Sequence, residues 1–548
     1  MLLNSRYLTF MIHVVLVLHF LSINETCTQG NVYHVTVNGD DSNPGTYDKP
    51  WRTISYAVKK LRPGDTLIIH GGNYSEIIVL EVSGTKDAPI TITSASGEKV
   101  ILDFQGVHSN CFIFSKGVSH INLENLTLTR CGIWAISLDG GNRFISLRNL
   151  DVSDSEVGIH MTIGESGKKP WYGPVGPVTI EGCLIHDNKF VGIDCTPGPC
   201  YNLTIRHSNI YNNGISTDFG ADGIGVETGD HIIVEWSEIY GNKGDGIDLC
   251  SRNPLWFNES SDVKVIGCKI YDNDLEGVKL WTGGRIENTL IYSNGLTGLD
   301  FIYNGKYLVI NTAIVKNSVR IRSYSVCIGY REVVPLGGQD NLEVEIYNSI
   351  IAFNGPSRSP VGIYVGQGVQ LISDYNIWYS RKDGEIYFGA TGTEYTREDI
   401  IKGKWTNDTG NGKHSLAVDP LFLSLERDDY RLQDNSPAID SANPEKSPNI
   451  DLLGTSRPQG VGYDIGPYEH RLETKPSSGK TNQPSTTPSQ KQYNNKSQQS
   501  HEQPCTQTSN NREKEYTERL PLIYVGIMLS IILSLILLII LLRKKYCT

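Results

Sequence analysis

The sequence predicts an all-β chain wound as a right-handed parallel β-helix of about ten coils, capped at both ends and followed by a single transmembrane helix. Three observations carry this. An internal repeat of irregular length keeps one residue type fixed at its turn. The composition, with 55 Gly and 28 Tyr against four Met, suits short strands joined by tight turns. One unbroken aliphatic stretch lies near the C-terminus.

The repeat comes first because it sets the fold. Each copy has an alternating apolar strand, an Ile-x-x-Asn turn entry and then Gly-Ile-x-apolar. Its Ile-type position falls at Leu128, Val152, Ile185, Ile210, Ile239, Ile270, Ile291, Ile314, Ile351 and Ile377, at spacings of 21 to 37 residues. Asn188, Asn213, Asn242, Asn273, Asn294, Asn317 and Asn354 fill the turn. An Asn repeated there tolerates a left-handed turn and can bond to the neighbouring coil. Variable coil length with a constant turn residue excludes a propeller or a helical solenoid.

The remaining segments follow in order. Residues 1–29 read as a signal peptide, with Arg6 before an apolar run from Tyr7 to Ile23. Residues 30–110 hold an N-terminal cap and the first coils, with the amphipathic stretch Thr53 to Leu61 closing the open end. Residues 111–380 are the coil stack, and 381–470 the C-terminal cap, including Asp419 to Phe422 and Tyr463 to Gly466. Residues 471–519 are too polar to bury a core and read as a disordered stalk, roughly 35–40 Å long as a coil. Leu520 to Leu542 is long enough to span a bilayer, and Arg543, Lys544 and Lys545 place the tail 543–548 inside and the body outside. Sequons beginning at Asn24, Asn73, Asn125, Asn202, Asn258, Asn407 and Asn495 suit an external glycoprotein.

A net charge of −11 argues against nucleic acid as a partner, since nothing neutralises a phosphate backbone. It also means that an anionic ligand needs a bound cation or a local basic patch. Eleven Cys do not make a dense disulfide scaffold in 548 residues, but Cys195 and Cys200 bracket a short loop that a local disulfide would close. Cys183 and Cys268 occupy equivalent places with two repeats between them, too far to pair.

Strand alternation then exposes one face. Aligning the repeats on Gly gives an outward column of Trp134, His160, Asp194, Gly225, Asp248, Lys279 and Asp300, about 4.8 Å between neighbours. A second column, before each Gly, holds Asp222, Asp245 and Glu276. Asp222, Asp245 and Asp248 converge around Gly225, with Glu276 and Glu227 as further oxygen donors. Such a cluster repels itself unless a cation joins it, and a rigid frame of oxygens suits Ca2+. Any one of these residues alone is an ordinary turn former or a solubilising charge. Trp134, His160 and Asp300 are candidate substrate contacts in the same column, as are Arg252 and Arg285, with Arg320, for substrate carboxylates. Trp256 and Phe257 lie in a long insertion beside the acids.

The runs Ala221-Asp222-Gly223-Ile224, Asn242-Lys243-Gly244-Asp245-Gly246-Ile247-Asp248-Leu249 and Gly277-Val278-Lys279-Leu280 resemble family-nine polysaccharide lyases, pectate lyases of the same fold, over about residues 180–305. The resemblance implies Asp222, Asp245 and Asp248 as calcium ligands and Lys279 as the catalytic base. One position departs from it: the family has paired acids where this chain has Gly244-Asp245. The implied activity is calcium-assisted β-elimination on an acidic, uronate-containing polysaccharide, or a uronan C5-epimerase that begins with the same proton abstraction. The alternative from another class is a non-catalytic, surface-anchored platform that binds glycans or mediates adhesion, which the membrane tether favours.

Overall fold

The structure is a computed structural model that describes residues 30–471, apart from 107–108, 162–172, 197, 215–220, 250–261, 304, 319–324, 330–341, 355–361, 381–384 and 390–392. The expected signal peptide, the stalk beyond residue 471, the aliphatic stretch 520–542 and the tail lie outside the described residues. Among the described residues no helix is long and apolar enough to cross a membrane.

Among the described residues, strands of three to seven residues stack into three walls of thirteen, thirteen and twelve strands, parallel throughout except for Glu394–Thr396 at the C-terminal end of one wall. Each wall is visited once per turn of the chain, so neighbours on one wall have two strands of the other walls between them in chain order. The stack is taller than the ten coils expected, because strands at Val32–Val35, Thr66–Ile69 and Gly72–Tyr74 already belong to the walls. Those first coils lack the Asn turn, the mark by which the repeat is legible.

Alternation decides what fills the cylinder. Ile224, Val226, Ile247, Leu249, Val278 and Leu280 are all buried inside, and the residues between them point away from the core. The Asn turns form a continuous buried ladder. Nδ2 of Asn213 donates to Oδ1 of Asn242 at 3.0 Å, and Nδ2 of Asn242 donates to Oδ1 of Asn273 at 2.9 Å. Each Asn also ties back one coil, as Asn242 Nδ2 does to the Ile210 carbonyl. The ladder explains the repeated Gly. A Cβ on Gly223 would stand 2.7 Å from Asn242 Nδ2, and one on Gly246 2.7 Å from Asn273 Nδ2.

At the N-terminal end Thr53 caps a short helix, Ile54–Ala57, continued by a 3-10 turn, Val58–Lys60. Ile54, Ala57, Val58 and Leu61 are buried over the first coils, as the amphipathic pattern requires. At the other end two helices, Arg397–Ile401 and Lys404–Thr409, set Trp405 edge-on against Trp378 of the last coils. Residues 419–471, expected at that end, instead run back along the flank of the twelve-stranded wall. Phe422, Tyr430, Leu432, Ile465 and Tyr468 pack on Leu290, Tyr292, Ala313, Val315 and Ile350 in a second core. Asn311 and Asn348 on that flank hold the segment by bonds to the Asp464, Gly466 and Asn443 carbonyls. The outward apolar residues of these coils need a cover, which is why the segment lies there and not over the end.

Cys195 and Cys200 are disulfide-bonded, as the loop suggests, and Cys183 and Cys268 are buried thiols. A second disulfide joins Cys111 to Cys131 across successive coils. No spacing pattern announces it, since the two Cys meet only once the coils are stacked.

Candidate metal and catalytic site

Six neighbouring strands of one wall position the site: β1 Val157–Met161, β2 Ile193–Cys195, β3 Ile224–Val226, β4 Ile247–Leu249, β5 Val278–Leu280 and β6 Leu299–Phe301. Their register aligns His160, Asp194, Gly225, Asp248, Lys279 and Asp300 in one outward column. Trp134 is not in that register. Ser137 stands opposite His160, and Trp134 opposite Val157. Aligning on Gly fails here because the turn position of the next coil is Ser155, which takes the Asn place, its N–H donating to Asn188 Oδ1 at 3.1 Å. A shorter side chain at that place permits Ala135 where later coils need Gly. Trp134 nonetheless stacks on the His160 ring, centroids 3.8 Å apart.

The acids form a second ladder beside the strands. Asp222 Oδ1 accepts from the Asp245 N–H at 2.8 Å, and Asp245 Oδ1 accepts from the Glu276 N–H at 2.9 Å. Lys279 Nζ binds the Asp245 carboxylate and lies 3.0 Å from Asp248 Oδ2. The other oxygen of Asp248 accepts from the Trp281 indole N–H, and Lys279 Nζ sits 5.9 Å from the centre of the Trp281 ring.

The electrostatics follow from four carboxyl groups gathered around one amine. Burial, then the charges of Asp245 and Asp248, holds the Asp222 carboxyl well above the usual range. Burial raises Asp248, and burial with the Asp245 charge raises Glu276 well above its ordinary value. Burial also opposes ionisation of Asp245, but the Lys279 charge and a hydrogen bond with Glu276 outweigh it and bring Asp245 below its ordinary value. For Lys279 burial disfavours the charge, yet Asp245, Asp248 and Glu276 overcome it and keep the ammonium well above its ordinary range.

The donor set fits a hard cation. One carboxylate oxygen from each of Asp222, Asp245 and Asp248 lies within 4.8 Å of the others. Oxygens on opposite sides of Ca2+ stand about 4.6–5.2 Å apart, so the span matches. Glu276 lies behind Asp245 and is buried. The departure at Gly244 also finds a cause: a Cβ there would come within 2.3 Å of Asp222 Oδ1 and 2.8 Å of the Ala221 carbonyl carbon. An acid at 244 and Asp222 as placed are mutually exclusive.

Other expected contacts divide. His160 Nδ1 is 2.6 Å from Asp194 Oδ2, and Asp300 is buried next to Lys279 in the column. Arg285 is not at the site. It lies on a different wall, beside Lys264 and Leu308, and its guanidinium pairs with Glu287 two residues on. Arg252, Trp256, Phe257 and Arg320 lie outside the described residues. Lys279 points away from the core, as alternation requires, but its side chain is only 10% exposed. The carboxylates it pairs with and Trp281 enclose it. Trp281 itself, and Tyr303 stacked 5.4 Å from it, went unread. The signal was present, because the period of two that turns Lys279 outward also turns Trp281 outward.

A parallel β-helix with an acid-and-lysine cluster on one wall is thus the class that fold and site define. Residues 33–285 match the family model described as a Pel9A-like, right-handed β-helix region. The chain is 35% identical over 274 residues to pectate lyase PEL9 of Emericella nidulans, a match spanning 49% of this chain and 58% of that protein. It is 23% identical over 472 residues to the uncharacterized protein YwoF of Bacillus subtilis, spanning 75% of this chain and 92% of that one. The crystal structure of pectate lyase Pel9A superposes with a TM-score of 0.45 at 17% identity, covering 82% of this chain and 98% of its own.

Proposed function

We propose that this protein is a calcium-dependent lyase, tethered at the cell surface, that cleaves an acidic, uronate-containing polysaccharide by β-elimination. The observation that carries the reading is the meeting of Lys279 with Asp245 and Asp248, one coil from Asp222, on a single wall. The pectate-lyase relative and the Pel9A-like region support the same class of chemistry.

Asp222, Asp245 and Asp248 would hold Ca2+, with Glu276 behind Asp245 as a further oxygen donor. Bound there, Ca2+ would neutralise a uronate carboxylate and acidify the adjacent C5 hydrogen. Lys279, in its neutral form, takes the C5 proton. The electron pair left on C5 becomes the C4–C5 double bond as the C4–O bond breaks, and the departing oxygen takes a proton from water. With four carboxyl groups around it Lys279 is held as the ammonium, so its activity as a base depends on those carboxylates being engaged elsewhere. His160, oriented by Asp194, and Trp134 stacked on it contact the polymer farther along the wall, with Asp300 beside the base. The apolar runs read in the sequence at 1–29 and 520–542 support an extracellular β-helix on a membrane anchor.

A C5-epimerase shares the first step and returns a proton to C5. One observation favours the non-catalytic platform instead, the enclosure of Lys279. Incubating the purified full-length protein with a panel of polyuronates and Ca2+, and following the ultraviolet absorbance of unsaturated ends, separates the readings. Product formation that Lys279→Ala abolishes supports the lyase. A changed uronate composition without unsaturated ends indicates the epimerase, and neither on any polymer leaves the platform.

A further inference from the structure

We propose that Trp281 is a positioning residue for Asp248 and, together with Tyr303, forms the stacking face for the sugar bound beside Lys279; this rests on the lyase reading of the site. Trp281 follows Lys279 by two residues, and Tyr303 lies one coil on, just past the position opposite Trp281, its N–H donating to the Trp281 carbonyl at 3.1 Å. Both side chains are half-buried, and their rings pack 5.4 Å apart at a 48° tilt. They therefore make a continuous aromatic edge along the C-terminal side of the acid cluster.

The indole has two separable parts. Its N–H binds one oxygen of Asp248 while Lys279 binds the other, so the carboxylate is held from both sides and its plane is fixed. A hydrogen bond to a charged group of this kind is strong enough to matter for a ligand that needs a set orientation. The ring and that of Tyr303 offer apolar surface to the carbon–hydrogen face of a pyranose, the same use of an aromatic body with a polar tip seen at many wet interfaces. Nothing in the core requires either residue to be aromatic, because both stand outside the cylinder.

The two roles are tested apart in the full-length protein. Calcium affinity is measured by calorimetry and KM by unsaturated-product assay at saturating Ca2+. Trp281→Phe keeps a ring and loses the N–H, and is expected to weaken calcium binding about tenfold, the usual worth of a hydrogen bond to a charged group. In an Asp248→Asn background the same change is expected to have no further effect on calcium affinity, a non-additivity that a general loss of stability does not produce. Tyr303→Ala is expected to raise KM about three- to tenfold, in line with one lost aromatic contact, with calcium affinity unchanged. Wild-type calcium affinity in Trp281→Phe, additive effects with Asp248→Asn, or an unmoved KM in Tyr303→Ala overturns the proposal while leaving the lyase standing. A wild-type protein that neither binds Ca2+ nor cleaves any polyuronate sinks both.

Discussion

Asp248 and Lys279 stand directly opposite each other on adjacent strands, and their side chains close to 3.0 Å outside the cylinder wall. Thirty-one residues separate the two in the chain of this protein, yet the register of a parallel wall makes them neighbours. The buried Asp245 completes the grip on the amine from the turn side. This pairing links the acids to the base, and the predictions below probe it and the frame that holds it.

Replacing Lys279 by Met removes the proposed base and the cation on which Asp245 relies. Elimination is expected to fall by about 10²–10⁴-fold, the usual worth of a general base. Stability is expected to fall as well, because Asp245 is then a buried carboxylate without its partner. Rate assays and thermal melts measure the two. Unchanged activity would remove Lys279 from the mechanism.

Restoring an acid at the departure from the lyase pattern is expected to harm the site. In Gly244→Asp the new Cβ would press on Asp222 Oδ1 and on the backbone of Ala221. The melting temperature should drop and calcium affinity should weaken. Tighter binding with an unaltered melt would mean that the two acids can coexist.

How much was readable follows from particular residues. The Asn and Gly of each turn announce the coils, because Asn Nδ2 occupies the space that a Cβ on Gly would need. That same rule misplaced Trp134, where Ser155 stands in for Asn and relaxes the need for Gly. Alternation within a strand oriented Asp248 and Lys279 correctly, since it needs only local sequence. It could not say that Arg285 belongs to another wall, because that depends on where each coil turns. Nor could it show that Lys279 would be enclosed, since enclosure comes from Asp245 and Asp248 on the preceding coil as well as Trp281 on its own. The path of 419–471 was hidden for a related reason: the segment is placed by long-range bonds from Asn311 and Asn348 that have no local pattern.

The ladder itself is expected to be costly to break. Asn242 is fully buried, accepts from Asn213 and donates to Ile210 and Asn273. Asn242→Ala takes the side-chain acceptor from the Asn213 N–H and a donor from the Ile210 carbonyl in the interior, at about 1–3 kcal/mol for each group left without a bond. Urea unfolding should show a loss of several kcal/mol on that scale. A loss below about 1 kcal/mol, the net worth of one ordinary hydrogen bond, would show that the ladder is dispensable.

The flank segment carries a pH dependence. Burial pushes the Asp464 carboxyl up to about 6 from an ordinary 3.8. A raised carboxyl favours the folded state while protonated. Its contribution is therefore fully present below the ordinary value and is lost as pH rises through about 6. The difference corresponds to roughly 3 kcal/mol at 1.36 kcal/mol per pKa unit. Stability should climb as pH is lowered across that window, and Asp464→Asn should flatten the climb. A wild-type and variant profile of the same shape would exclude Asp464 as its source.

Calorimetric titration of Ca2+ into the purified full-length protein, alongside Asp222→Asn, tests the convergence of the three acids most directly. The account predicts heat of binding at one site in the wild type and its loss in the variant. No binding to the wild type, or equal binding to both, would contradict it.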